Sequence, residues 1–153
     1  MSRRYDASKA NLVAIIGMAG RFPGARNLEE FWENLKDGVE SIRFFSDEEL
    51  LASGVDPALS KNPRWVPANG YLKGAREFDA SFFGYSPREA AEMDPQHRLF
   101  LECSWEAFED AGYIAEAFDG SVGVYAGCGM NEYLMANLMP NHSLMRSEIS
   151  WSA

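Results

Sequence analysis

The sequence predicts an α/β fold, and three observations carry that prediction. Leu12-Val13-Ala14-Ile15-Ile16-Gly17-Met18-Ala19 is apolar at consecutive positions, as expected of a strand whose sheet is covered by helices on both faces. A second run, Val122-Gly123-Val124-Tyr125-Ala126, has the same character near the other end. Between them stand helix-start signals at Asn27, Ser46, Ser86 and Asp94.

Each element follows in chain order. Asn27 is placed to cap a helix, Glu30 stands at the capping-box position, and Phe31, Trp32 and Leu35 supply the apolar side before Gly38 ends it. Ser46 with Glu49 repeats the signature ahead of Leu50, Leu51 and Gly54. From Asp56 to Ala75, prolines, glycines and Asn69-Gly70 break every periodicity, which predicts a long irregular connection with one turn of helix near Pro57. Ser86 and Asp94 are each followed by Pro, which has no N–H to leave unpaired and a φ already suited to a helix. The spacing therefore predicts a short helix from Ser86 through Met93 and a longer one from Asp94, closed by Gly112. Along the longer helix, Phe100, Cys103, Ala107 and Ala111 form one stripe while Leu101, Trp105 and Phe108 form another, so burial on more than one side is expected. After the second strand a helix runs from Asn131 through Met139, where Pro140 stops it.

Composition narrows the function classes. A hydrophobic content of 46% is ample for a packed core, and a formal charge of −9 argues against a nucleic-acid surface, which requires clustered Lys and Arg. Arg3, Arg4 and Lys9 ahead of the first apolar run imitate a signal peptide, but the run is short, is interrupted by Gly17 and leads into Arg21-Phe22-Pro23-Gly24. It is also far short of a membrane span. Cys103 and Cys128 make no disulfide framework and fit a reducing cytoplasm.

Several chemistries compete with plainer readings. The glycines Gly17, Gly20 and Gly24 follow a strand, yet Arg21-Phe22-Pro23 intervenes where a dinucleotide fingerprint must open into a helix, and no P-loop Gly-Lys-Ser/Thr is present. His97, His142, Cys103 and Cys128 lack zinc-ligand spacing, so no metal site is expected. Cys128, between glycines at a strand exit, is placed to present a thiolate, but nothing ties it to either histidine as an activating base. A structural loop cysteine is the plainer reading.

The run from Phe78 to Glu102, with Ser86-Pro87-Arg88-Glu89 and Met93-Asp94-Pro95-Gln96-His97-Arg98 inside it, resembles the N-terminal region of the β-ketoacyl synthase (ketosynthase) domain of modular polyketide synthases. Val13–Gly24 resembles the family's first strand and loop, Phe31–Gly38 its next helix, and Val122–Gly127 the strand that follows, so the similarity covers roughly Leu12 to Leu138. Several spaced motifs in the correct order are far harder to obtain by chance than one. The resemblance implies part of a thiolase-like αβαβα fold, with residues 1–11 as an N-terminal extension, 12–139 as the N-terminal part of a ketosynthase domain and 140–153 as a divergent tail.

The resemblance also implies a chemistry: decarboxylative Claisen condensation of an acyl thioester with a malonyl-type extender. The substrates ride on phosphopantetheine carried by a partner acyl carrier protein, the complete domain is a homodimer, and no cofactor is bound directly. The family's nucleophile lies in a Thr-Ala-Cys-Ser-Ser-like turn and its histidines in His-Gly-Thr-Gly-like motifs, none of which occurs here, so no residue of this chain is expected to be catalytic. The expectation is a piece comprising roughly the first third of a ketosynthase, inactive by itself. Met130 and Asn131 are the expected substrate-binding residues, since Gly127-Cys128-Gly129-Met130-Asn131 resembles the segment whose residue after Gly-x-Gly lines the acyl tunnel. A core-packing methionine is the plainer reading for Met130. Two functions stay open: the N-terminal part of a condensing enzyme, or a non-catalytic interaction module that docks to a component of the synthase or competes for its dimer surface.

Overall fold

The structure is a computed structural model that describes residues 13–114 and 117–141. The helices begin where side chains can receive the N–H groups that a first turn leaves unpaired. Helix α1, Leu28–Asp37, is capped by Asn27, whose side chain accepts from Glu30 N, and it ends at Gly38 with φ 65°. Glu30 does not close the expected box onto Asn27. Its carboxylate reaches one residue further, accepting from Arg26 N at 2.9 Å and pairing with the Arg26 guanidinium.

Strand β1, Ile42–Phe44, leads into α2, Asp47–Ala52, which has the full reciprocal box between Ser46 and Glu49. A single helical turn, α3 at Pro57–Ser60, follows. Strand β2, Ala68–Gly70, then pairs antiparallel with β1, with Ile42 opposite Gly70 and Phe44 opposite Ala68. This pair corrects the expected irregular connection: Asn69-Gly70 is not a turn but lies within the strand. Side-chain periodicity was blind to it because three residues are too few to show alternation.

Helices α4, Pro87–Glu92, and α5, Pro95–Asp110, stand where the Ser-Pro and Asp-Pro signals place them. Ser86 and Glu89 form a full capping box, and Asp94 accepts from Gln96 N at 2.8 Å. Gly112 takes φ 74° after the last turn of α5. Aromatic contacts pack the preceding loop onto α5, with Phe78 stacked on Phe83 at 5.3 Å and Phe82 edge-on to Trp105 at 4.7 Å. The last element is a helical stretch that begins after Asn131 and winds as a π-helix over Leu134–Leu138.

Two further expectations fail. Val13–Ala19 and Val122–Ala126 are not strands, Leu12 lying outside the described residues. A strand requires a neighbour to accept its ladder, and among the described residues neither segment finds one. Val13–Gly17 instead lies along α5. A Cβ on Gly17 would sit 2.2 Å from the Ala107 carbonyl oxygen, and Met18 N donates to Asp110 Oδ2 at 2.9 Å. The second failure concerns burial. Helix α5 has contacts on several sides, but only Arg98 along it is buried and Phe100 remains 44% exposed. The apolar surface is present without the layer that would cover it.

Candidate functional site

The segment Gly127–Asn131 sits over the junction between α4 and α5. Its seat is made before the segment arrives: Asp94 and Arg98 are the buried polar residues of the described chain, and they fix the first turn of α5. Asp94 caps that turn, and the Arg98 Nε donates back to the Met93 carbonyl at 3.1 Å. On this base, Gly129 N donates to Gln96 Oε1 at 2.8 Å. Four residues later the Tyr133 hydroxyl donates to the Ala91 carbonyl at 2.7 Å, and the Arg98 guanidinium lies 5.7 Å from the centre of the Tyr133 ring.

Met130, between these two anchors, is 75% exposed. It does not pack in the core of the described chain. The Asn131 side-chain oxygen accepts from Leu134 N at 2.8 Å, so this residue starts the final helix and shapes the loop from within. Cys128 is exposed, and no hydrogen bond or ion pair among the described residues joins it to His97. His142 lies outside the described residues.

A polar anchor lies elsewhere along α5. The two terminal nitrogens of Arg21 engage both oxygens of Glu106, one at 2.6 Å and the other closer still, and Glu102 stands 4.0 Å away. The hydrogen bonds to Glu106 raise the Arg21 pKa, and the same bonds hold the Glu106 carboxyl below the usual carboxylate range. Glu102 goes the other way, pushed up by burial against the pull of Arg21. Burial also pushes the half-buried Cys103 thiol up, away from the thiolate that nucleophilic chemistry requires. The glycines of the first loop have structural work to do: Gly17 lets backbone approach α5, and Gly24, at φ 75°, turns the chain between the bridged residues Phe22 and Ala25.

An open apolar groove of about 690 Å³ separates the two segments expected to be strands. Val13, Ile16 and Gly17 form one wall, Val122 and Gly123 the other, and Ala107, Phe108 and Ala111 of α5 the floor. Sequence reasoning found the anchored loop but missed its anchors. Gln96 and Tyr133 are far from one another in the chain, and the Arg21–Glu106 pair spans 85 positions, so no local pattern announces them. No helix among the described residues is long and apolar enough to cross a membrane.

The described chain is mostly helical, with α5 at its centre, two uncovered apolar segments beside it and a loop seated at the start of α5. Residues 10–151 match the family described as "Beta-ketoacyl synthase, N-terminal domain", and the chain belongs to that family. It is 49% identical over 129 residues to a component of the phenolphthiocerol/phthiocerol polyketide synthase of Mycobacterium tuberculosis, covering 84% of this chain and 9% of that protein. Polyketide synthase PksN of Bacillus subtilis is 44% identical over 142 residues, 91% of this chain and 3% of the relative. The chain thus spans less than a tenth of the length of these relatives.

Solved structures agree. Ketosynthase twelve from the bacillaene polyketide synthase of Bacillus amyloliquefaciens superposes with a TM-score of 0.58 at 52% identity, over 65% of this chain and 18% of that one. The ketosynthase from module 6 of the bacillaene synthase of Bacillus subtilis 168 gives 0.65 at 42% identity, over 78% and 20%. These neighbours have the thiolase-like fold, of which the chain carries a part.

Proposed function

We propose that this chain supplies the N-terminal part of a condensing domain that joins an acyl thioester to a malonyl-type extender. In that reaction, loss of CO2 from the extender leaves an enolate carbon that attacks the acyl thioester carbonyl and expels its thiol. Both substrates arrive on the phosphopantetheine arm of an acyl carrier protein, and the complete domain works as a homodimer. This chain contributes scaffold and one wall of the acyl site, namely Met130, with Asn131 setting the loop's shape. It contributes neither nucleophile nor enolate stabiliser, because the cysteine turn and histidine motifs are absent from its sequence.

The observation that carries this reading is the Gly127–Asn131 loop, held in a defined seat with Met130 projecting, inside a chain matched over residues 10–151 to the synthase family. The test is acyl loading from a pantetheine thioester. The purified chain forms no stable acyl-protein, whereas the same chain fused to the part of a ketosynthase domain that follows the matched region does. Loading of the chain by itself, abolished by Cys128→Ala, would overturn the proposal. Tight association with the following part of a ketosynthase domain but no loading in the fusion would favour the interaction module.

A further inference from the structure

The loop that carries Met130 is gripped on both sides by the first turns of α5. Before Met130, the Gly129 N–H points at Gln96 Oε1, 2.8 Å away. A donor on the loop fixes which end of the Gln96 amide faces it, and the other end then faces Asp94, where Nε2 lies 3.4 Å from Oδ2. Both contacts require the same orientation. The backbone of Gln96 also donates to Asp94 Oδ1, so the side chain springs from a turn held by a buried carboxylate. Fit here is close: a Cβ on Gly129 would stand 3.2 Å from Gln96 Oε1.

After Met130, the grip passes through Arg98. Its guanidinium is bound to the Met93 carbonyl and lies over the Tyr133 ring, whose hydroxyl bonds to the Ala91 carbonyl. An aromatic ring held at its face by a buried cation and at its tip by a hydrogen bond has little freedom left. Between the two grips stands Met130, a flexible side chain on a fixed backbone. Asn131 closes the remaining slack by capping the helix that follows.

We propose that Gln96 and Arg98 are positioning residues that set acyl-chain selectivity, acting through Gly129 and Tyr133 to fix where Met130 stands. The proposal rests on the reading that Met130 forms a wall of the acyl site. The consequence is that selectivity is written partly in α5, more than thirty positions before the loop that meets the substrate, by the single acceptor oxygen of Gln96 and the single cation of Arg98.

The test uses the chain fused to the part of a ketosynthase domain that follows the matched region, assayed for loading across thioesters from acetyl to decanoyl. Three variants decide it: Gln96→Leu, which removes the acceptor, Tyr133→Phe, which removes only the hydroxyl bonded to the Ala91 carbonyl, and Met130→Trp. The expected result is that Gln96→Leu changes the ratio of long-chain to short-chain kcat/KM by about tenfold, the size of effect that reshaping an apolar pocket produces. Tyr133→Phe shifts the ratio as well, and Met130→Trp suppresses long chains. If Met130→Trp shifts the ratio but Gln96→Leu lowers every acyl group alike, the positioning proposal fails and the acyl-wall reading stands. An unchanged ratio in Gln96→Leu also overturns it, since the acceptor oxygen would then be irrelevant. No shift with Met130→Trp overturns both. Should the Gln96→Leu protein not accumulate, Tyr133→Phe carries the same expectation at the other end of the loop.

Discussion

Helix α5 and the segment Val122–Ala126 are both rich in apolar residues, yet they depend on the rest of the protein in opposite ways. Helix α5 closes its own backbone hydrogen bonds, is capped by Asp94 at one end and is followed by Gly112 in the left-handed conformation at the other. Segment Val122–Ala126 closes none among the described residues, and Tyr125 is 98% exposed. A helix carries its partners four residues away; a strand must borrow them from another part of the chain. In a partial domain the helices therefore stand, while the strands wait for neighbours. Val13–Ala19 occupies the middle ground, because it already leans on α5 through Gly17 and Met18, with Arg21 just after it paired to Glu106.

The first way to break this contrast is to detach the intermediate segment. In Gly17→Val the new Cβ meets the Ala107 carbonyl oxygen, main-chain atoms of a helix that cannot yield cheaply. The expected cost is about 3 kcal/mol, at the upper end for overpacking, with loss of the Met18–Asp110 bond and α5 left helical. Backbone chemical shifts of α5 and of residues 13–21 separate the two effects. Collapse of α5 along with the segment would show that the helix depends on it.

The converse substitution attacks the helix. Asp94→Ala removes the cap from the first turn of α5 and leaves Gln96 N without its acceptor, which costs about 1 to 2 kcal/mol of helix stability. Amide exchange in the first turn should rise about tenfold, and exchange at Val122–Ala126 should not change. A uniform rise across both regions would contradict their independence.

Arg21→Ala is the milder version of detachment. Glu106 is partly open to water, so after allowance for solvent screening the pair contributes about 1 kcal/mol. Its pH dependence has a definite sign. Glu106 is held below its usual range, so its contribution is complete above the ordinary carboxylate value of about 4.3 and is lost as pH falls through the lower folded value. Glu102, raised by burial, gains as pH falls through its own value and offsets part of that loss. Glu102→Gln should therefore make the acid loosening of residues 13–21 steeper, read by chemical shift below neutral pH. A shallower profile would mean that Glu106 is not the group responsible.

The same contrast explains what was legible in the sequence. Helix starts at Asn27, Ser46, Ser86 and Asp94 were readable because a cap and the N–H groups it serves lie within three residues. Apolar runs announced neither burial nor pairing in this chain, where Val13, Val124 and Tyr125 stay exposed, because the partner of a strand is set by the whole domain. Strands Ile42–Phe44 and Ala68–Gly70 were invisible because each is three residues long and their pairing spans α2 and α3. At the candidate site, Met130 and Asn131 were named from resemblance alone. Their anchors, Gln96, Arg98 and Tyr133, act across the fold and leave no local spacing to recognise.

The central claim is that Val13–Ala19 and Val122–Ala126, which have no ladder among the described residues, pair as strands once the following part of a ketosynthase domain is supplied. Amide hydrogen exchange tests it most directly, measured on this chain by itself and again after the following part of a ketosynthase domain is added as a separate polypeptide. By itself the chain should protect α5 while Val122–Ala126 exchanges at nearly the rate of an unstructured peptide. With the remainder bound, the amides of both segments should slow at least a hundredfold, about 2.7 kcal/mol of protection. Protection of Val122–Ala126 in the chain by itself, or none after the remainder binds, would contradict the account.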